Sequence, residues 1–282
     1  MAIVRFLRSN LGYFVWFVFY FLIAWSVLGG DKQALLWVSI IYSISITIAL
    51  SPIGEVLLRW IENIRPVQTR EEIDYLMPLF EEVYQDAKDN FPRLNNNIKL
   101  YIMDTMAVNA YAVGRKTIAV TKGAIHAFSG DELKGVLAHE FGHLVNGDTK
   151  ALILNIIGNG FFTLTIVALR LIMAVVRIIT GLFDSSGVIS IVFWLFNFVF
   201  DIYVLAIMFV GQLILSLTSR QAEYFADHFS YEIGFSDELI EALYTLQKIH
   251  IPANVSLLER LKASHPNISG RIARLERLQE LE

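Results

Sequence analysis

The chain has 282 residues, 55% of them hydrophobic, and a mean hydropathy of +0.52, which is too apolar for an ordinary soluble domain and indicates a membrane protein. A formal net charge of −4, with no Lys/Arg-rich stripe interleaved with aromatics, gives no case for nucleic acid as a partner. Cysteine is absent, so disulfides and thiolate metal ligands are excluded, and any metal must be held by histidine and carboxylate.

From the N-terminus, Leu11 to Leu28 and Ala34 to Leu50 are each long enough to cross a bilayer. The short Gly29-Gly30-Asp31-Lys32 turn joins them. The first apolar run exceeds the core of a typical secretion signal, and no small-x-small cleavage site follows, so a retained helix is expected. Arg5 and Arg8 precede this pair and Arg59, Arg65 and Arg70 follow it, whereas the turn carries only Lys32. The positive-inside rule then puts both termini and the polar portion in the cytosol.

Residues 61 to 98 are charged and helical in pattern, which predicts a connecting helix, and Asp86 to Asn97 reads as a loop that could lie over a cleft as a lid. Next, Asn109 to Ala112 and Thr117 to Thr121 flank a Gly114-Arg115-Lys116 turn, as in a β-hairpin. An exposed edge of that hairpin could pair with an extended peptide backbone at Asn109, Ala110 and Tyr111; a plain core hairpin is the other reading.

Ser129 with Glu132 forms a capping box ahead of Leu133, Val136, Leu137, Phe141 and Leu144 at helical spacing. That helix carries His139-Glu140-Phe141-Gly142-His143. Histidines at i and i+4 project from one face and can hold a single zinc ion, with Glu140 beside the remaining coordination position as a general base.

A second apolar pair follows, Ala151 to Ile179 and Val188 to Leu217, joined by Gly181 to Gly187. Both segments exceed the bilayer's need, so they tilt or emerge as helices on the cytosolic side. Arg170 and Asp201 sit at similar distances from the turn, which predicts an intramembrane ion pair, structural or lining a polar path. Catalytic zinc takes a third protein ligand, and Ser219 to Asp227 supplies candidates. Glu223 is assigned as that ligand. Asp227, one turn on, is assigned as the carboxylate that orients a ligand histidine; His228 points about 100° away from it on a helix and ranks behind both. His126 and His250 have no partners in pattern.

The order of two spans, His-Glu-x-x-His, two spans, then Arg220-x-x-Glu223-x-x-Ala226-Asp227 resembles the HtpX-type integral-membrane zinc metalloproteases, relatives of the CAAX prenyl endopeptidases. Asn109-Ala110-Tyr111 with Gly114, Val120 and Gly123 looks like that family's strand ahead of the active-site helix. Ser264-His265-Pro266 with Arg271 looks like its C-terminal His-Pro…Arg element, with Asn267 where a second proline often stands. The resemblance implies a gluzincin-like catalytic domain, one Zn²⁺ per chain, polypeptide substrates associated with the membrane or misfolded, and a bacterial or archaeal plasma-membrane location. It also gives His265 and Arg271 a role in stabilising the tetrahedral oxyanion.

The expected fold class is therefore mostly α with a small β-hairpin or sheet, polytopic in the membrane. Residues 1–60 form a first transmembrane hairpin and 151–218 a second. Residues 61–150 and 219–282 are the two parts of the catalytic domain that the second hairpin splits. Broad membrane-protein quality control, maturation of one dedicated peptide, and a non-catalytic zinc-containing scaffold all remain open at this point.

Overall fold

The computed structural model describes residues 2–182, 187–249 and 267–280. Helix α1 (Ala2–Val27) stops at Gly29 and Gly30, both at positive φ, and α2 (Lys32–Leu50) starts at once. Asp31 makes the turn by accepting from the Ala34 N–H at 2.7 Å, while its own carbonyl accepts from Trp25 Nε1 at 2.9 Å. A side-chain acceptor at this position satisfies one of the helix's orphan donors. Phe17 and Phe21 then meet the edge of Tyr42 at 5.1 and 5.3 Å, locking the antiparallel pair.

Among the described residues, Lys32–Leu50 and Val188–Gly211 are long and apolar enough to cross a membrane, and Phe14–Val27 is a shorter apolar helix. Helices α7 (Asp148–Gly181, 34 residues) and α8 (Val188–Glu232, 45 residues) are both unbroken. α1 packs on α8 and α2 on α7.

Helix α3 (Pro52–Ile61) follows α2 after Ser51 alone, which caps the end of one and the start of the other. Beyond it, β1 (Ile64–Pro66) and α4 (Arg70–Asn90) occupy most of the stretch expected to be a single connecting helix. The expected loop from Asp86 begins only after Asn90, because α4 continues. Val83 and Ala87 are buried on its inner face while the acidic and amide residues between them line its outer one. What remains of the loop is tied down: Phe91 lies 4.7 Å from Phe229, Leu94 and Ile98 are buried, and the Tyr84 hydroxyl donates to the Asn95 carbonyl.

The hairpin expected around Gly114 is present as β3 (Ala110–Val113) and β4 (Thr117–Thr121), with Gly114 at φ +66°. It belongs to a larger four-stranded sheet in the order β1-β2-β4-β3, in which β2 (Lys99–Met103) runs parallel to β4 and the other pairings are antiparallel. β3 is therefore an edge strand. Helices α5 (Lys122–Ala127) and α6 (Gly130–Asn146) follow, and α9 (Ser236–Ile249) and α10 (Ile268–Gln279) close the described chain.

The core lies between the sheet, α4, α6, α8 and α9. α6 is at its centre, with Leu133, Leu137 and Phe141 fully buried. Phe141 stacks on Tyr84 at 5.6 Å and meets Phe80 at 5.5 Å. Apolar packing on this helix also fixes the direction in which its polar face points.

Candidate active site

Helix α6 begins with the expected capping box. Glu132 accepts from the Ser129 N–H at 2.7 Å and donates its own N–H to Ser129 Oγ at 3.2 Å. The Glu132 side chain also accepts from the Thr245 hydroxyl of α9. The helix ends at Gly147 in the left-handed region, φ +83°, as glycine-capped helices commonly do. His139, Glu140 and His143 thus occupy its last two turns.

Helix α8 crosses α6 here, and the approach depends on Gly142. A Cβ on that residue would fall 2.7 Å from Ala226 Cα and 3.1 Å from Phe229 Cβ. The close approach of Gly142 to the buried Ala226 lets the backbones come close enough for carboxylates on α8 to reach histidines on α6. Sequence reasoning missed this role of Gly142. Its signal was the small residue inside the His-Glu-x-x-His run, set against the alanine before Asp227 on the later helix.

At the crossing, His139 Nε2 and His143 Nε2 are 3.2 Å apart, and the rings are nearly perpendicular at 89°. Glu223 completes a triangle, with one carboxylate oxygen 3.5 Å from His139 Nε2 and the other 3.6 Å from His143 Nε2. Donor atoms in tetrahedral array around zinc at about 2.0–2.1 Å are about 3.4 Å from one another. The triangle has that size, and its donors are the nitrogen and oxygen types that zinc takes. Glu140 lies in the same cluster: His139, Glu140 and His143 each offer a ligand atom, all within 4.8 Å. One of its oxygens, Oε2, is buried and has no hydrogen-bond partner. A buried carboxylate oxygen without a partner is costly, and a bound water or reacting group would remove the cost.

Around the triangle runs a second set of contacts. Asp227 Oδ1 is 3.0 Å from His139 Nδ1, so it accepts from the nitrogen on the far side of the ring. Arg271 of α10 donates to Asp227 through Nε at 2.9 Å and through a terminal nitrogen at 2.6 Å, while its other terminal nitrogen meets Glu223 at 3.0 Å. All three side chains are buried. Burial alone would raise the Asp227 pKa, but His139 and Arg271 outweigh it and hold the carboxyl below its usual range. Burial would lower the Arg271 pKa, and the surrounding carboxylates, Asp227 foremost, reverse that. For His139, burial and the Arg271 charge oppose protonation, yet Asp227 and Glu223 prevail and the imidazole pKa is raised.

The structure thus gathers His139, Glu140, His143, Glu223, Asp227 and Arg271 in one place. Nearby, β3 lies against α6, and among the described residues no strand pairs with its outer edge. Ala110 and Ala112 face the core that α6 shares, whereas the Tyr111 ring lies on the opposite face, where its hydroxyl donates to Met103 Sδ at 3.2 Å. Burial, with Glu62 adding to it, pushes that phenol up to about 12. Asn109 turns its side chain back onto the Ala110 N–H. Any contact from Tyr111 to an extended peptide is consequently a main-chain one. His228 is half-buried, pairs with Glu232 at 3.5 Å and stacks on Tyr231, outside the triangle. His126 is exposed at the end of α5. His265 and His250 lie outside the described residues. Arg170 and Asp201 do pair, at 2.6 Å, with Asp201 22 positions before Glu223 on α8, about 33 Å along its axis.

The model of peptidase family M48 matches residues 74–279, from α4 through α10. The chain belongs to peptidase family M48. A protein named protease HtpX homolog from Bacillus licheniformis is 32% identical over 193 residues, covering 62% of this chain and 61% of that one. The protease HtpX of Shewanella oneidensis is 29% identical over 195 residues, 62% and 66% of the two chains. The crystal structure of S. mikatae Ste24p shares the fold, with a TM-score of 0.52 at 22% identity over 97% of this chain and 65% of that one. The HtpX-type resemblance read from the motifs is borne out. The chain spans less than two thirds of the length of these relatives. Membership of M48 implies a metal, and in this M48 chain the donor set fits zinc.

Proposed function

We propose that the protein is a membrane-embedded zinc metalloendopeptidase that hydrolyses peptide bonds of membrane-associated or misfolded proteins on the cytosolic side. The observation that carries this reading is the donor triangle of His139, His143 and Glu223 with a buried, unpartnered Glu140 oxygen beside it. His139, His143 and Glu223 would hold the ion. Zinc, when bound, supplies Lewis-acid polarisation of the scissile carbonyl and lowers the pKa of its water toward about 7. A scaffold site would use four protein ligands, and would have no need of Glu140.

The chain's own groups do the rest. Glu140 Oε2 takes the proton from the attacking water and passes it to the leaving amine. Asp227 fixes the His139 tautomer by accepting from Nδ1, which presents Nε2 to the metal. Arg271 bridges Glu223 and Asp227 and so keeps both in position; with His265 it is also the group assigned to the developing oxyanion. The β3 edge at Asn109, Ala110 and Tyr111 receives the substrate as an added strand, and main-chain pairing of that kind is tolerant of side chains. That tolerance favours broad quality control over a dedicated maturation substrate.

In the membrane, α1 with α2 and α7 with the apolar part of α8 make two hairpins, and the arginines beside the first pair keep both termini and the catalytic parts in the cytosol. Residues 61–150 and 219–282 then meet on one side as the catalytic domain. The deciding experiment compares zinc-loaded protein in detergent with its Glu140→Gln counterpart, on casein and on the protein itself. Cleavage of both by the wild type alone supports the reading. With zinc confirmed bound, cleavage of neither would shift the case to a dedicated precursor first and a scaffold second.

A further inference from the structure

We infer that α3 is a membrane-surface helix, lying in the headgroup region of the bilayer and suspending the sheet from it. Its outward stripe is Ile53, Val56, Leu57, Trp60 and Ile61, spaced i, i+3, i+4, i+7, i+8. All five are exposed, Trp60 at 80% and Ile53 at 63%. An apolar stripe of that extent on one turn-by-turn face marks an interaction surface, and tryptophan at its end is the residue that favours the membrane interface.

Three further observations choose lipid as the occupant. First, α3 is continuous with α2, a helix long and apolar enough to span, through the single residue Ser51. A side chain at Gly54 would run into the Ala49 and Ile48 carbonyls, so the absence of a Cβ is what allows the chain to turn so soon after leaving α2. Second, the inner face of α3 is committed to the sheet. Glu55 accepts from Thr117 Oγ1 at 2.5 Å and from the Arg115 N–H at 3.2 Å, Arg59 donates to the Tyr101 hydroxyl and to Thr117 Oγ1 at 3.1 and 3.0 Å, and Leu58 is buried. The stripe therefore cannot rotate inward. Third, the adjoining β3–β4 turn presents Arg115 and Lys116 to solvent, and Arg115 shares with Arg93 the lining of a cavity of about 690 Å³. Neither arginine side chain has an ion-pair partner among the described residues. An apolar stripe with a cationic turn beside it, joined to α3 through the Arg115 N–H on Glu55, matches an interface of acyl chain and anionic headgroup. Because Glu55 and Arg59 tie α3 to β4, this helix sets the height of the neighbouring β3 edge above the bilayer.

The natural absence of cysteine makes the test direct. Single variants Val56→Cys and Trp60→Cys, with Glu71→Cys on the exposed start of α4 and Ile44→Cys in the middle of α2, are each labelled with an environment-sensitive fluorophore. The full chain is reconstituted into phosphatidylglycerol/phosphatidylethanolamine vesicles containing lipid with a nitroxide near the headgroup or deep in the acyl chain. The label reports depth whether or not the chain cleaves anything, so this outcome is separable from the catalytic reading. Labels at 56 and 60 are expected to be quenched by the shallow nitroxide at least about threefold more than the label at 71. Water-exposed emission at 56 and 60, with 44 quenched by the deep nitroxide, overturns the inference. Blue-shifted emission that no lipid nitroxide quenches also overturns it, since protein, a second copy for example, then covers the stripe. An unquenched label at 44 overturns the spanning of α2 and this inference with it.

Discussion

Glu140 and Glu223 are both buried carboxylates beside the histidine pair, and they should fail in different ways. Glu140→Gln keeps the shape and removes the base, so hydrolysis is expected to fall about 100-fold or more while zinc content by metal analysis is unchanged. Substantial residual activity would reassign the base. Glu223→Ala is expected to lose the metal itself, and a full zinc equivalent in that variant would sink its assignment as ligand. Arg271 allows a sharper distinction. Because it bridges Glu223 and Asp227, Arg271→Ala should weaken zinc binding as well as activity, whereas a purely oxyanion-stabilising arginine would leave zinc affinity intact. Asp227→Asn is expected to weaken zinc binding roughly 10–100-fold. Much of this centre was legible in sequence: i, i+4 histidines need only helical geometry, and Glu223 and Asp227 share a helix face one turn apart. What Arg271 touches was not, since its contact with His139 and Asp227 joins residues 132 and 44 positions apart, and no local spacing encodes that.

At the scale of elements, two helices depend on small residues for their approach. Gly142→Leu would push α6 off Ala226, with an overpacking cost of about 1–3 kcal/mol and a larger loss of zinc affinity than that stability change alone would give; thermal unfolding and metal titration on the same variant separate the two. On the other side of the domain, Arg65 of β1 holds Glu72 of α4 at 2.6 Å and Asp104 after β2 at 2.8 Å. Hydrogen bonds from Arg65 lower the Glu72 pKa from 4.5 to about 2. A carboxyl depressed on folding contributes stability that is present above its unfolded value and is lost as pH falls through the folded one. The contribution should therefore disappear between about pH 4.5 and 2, and Glu72→Gln should flatten the acid limb of the stability profile in that window. The strands in this region were harder to read than the helices. β3 and β4 carry a glycine turn, but β1 is only three residues long, and β2, with Leu100 and Ile102 buried between exposed or half-buried neighbours, follows directly on an asparagine run that looks like loop. α4 was legible as a helix through its charged, helical pattern and misjudged at both ends: β1 takes the start of the expected helix, and the aromatics, Pro92 and the asparagine run drew the expected break back to Asp86, four residues before the helix stops.

Across the whole molecule, the apolar lengths of the chain predicted two helix pairs; the capped turn at Asp31 joins α1 to α2, and the larger packing runs between the pairs, α1 on α8 and α2 on α7. Placement relative to a bilayer is a separate matter, because no contact within the chain records where lipid ends. It can be checked with epitopes: tags at both termini should be digested from the cytosolic side only, and a tag within the turn after Gly181 from the opposite side only. A terminal tag digested from the far side would overturn the two-hairpin arrangement.

One helix joins both ends of this picture. α8 is unbroken from Val188 to Glu232, so the apolar stretch ending at Gly211 and the carboxylates Glu223 and Asp227 belong to one rigid rod. Glu223 is 12 residues beyond Gly211, about 18 Å along the axis. A change of tilt by roughly 5° about the membrane end, well inside what a thicker or thinner bilayer imposes, would carry that carboxylate sideways by about 1.5 Å. On the proposed function, such a displacement would spread the three donors apart, so turnover followed across vesicles of graded thickness is expected to show an optimum at one acyl-chain length, and a flat profile would overturn the coupling.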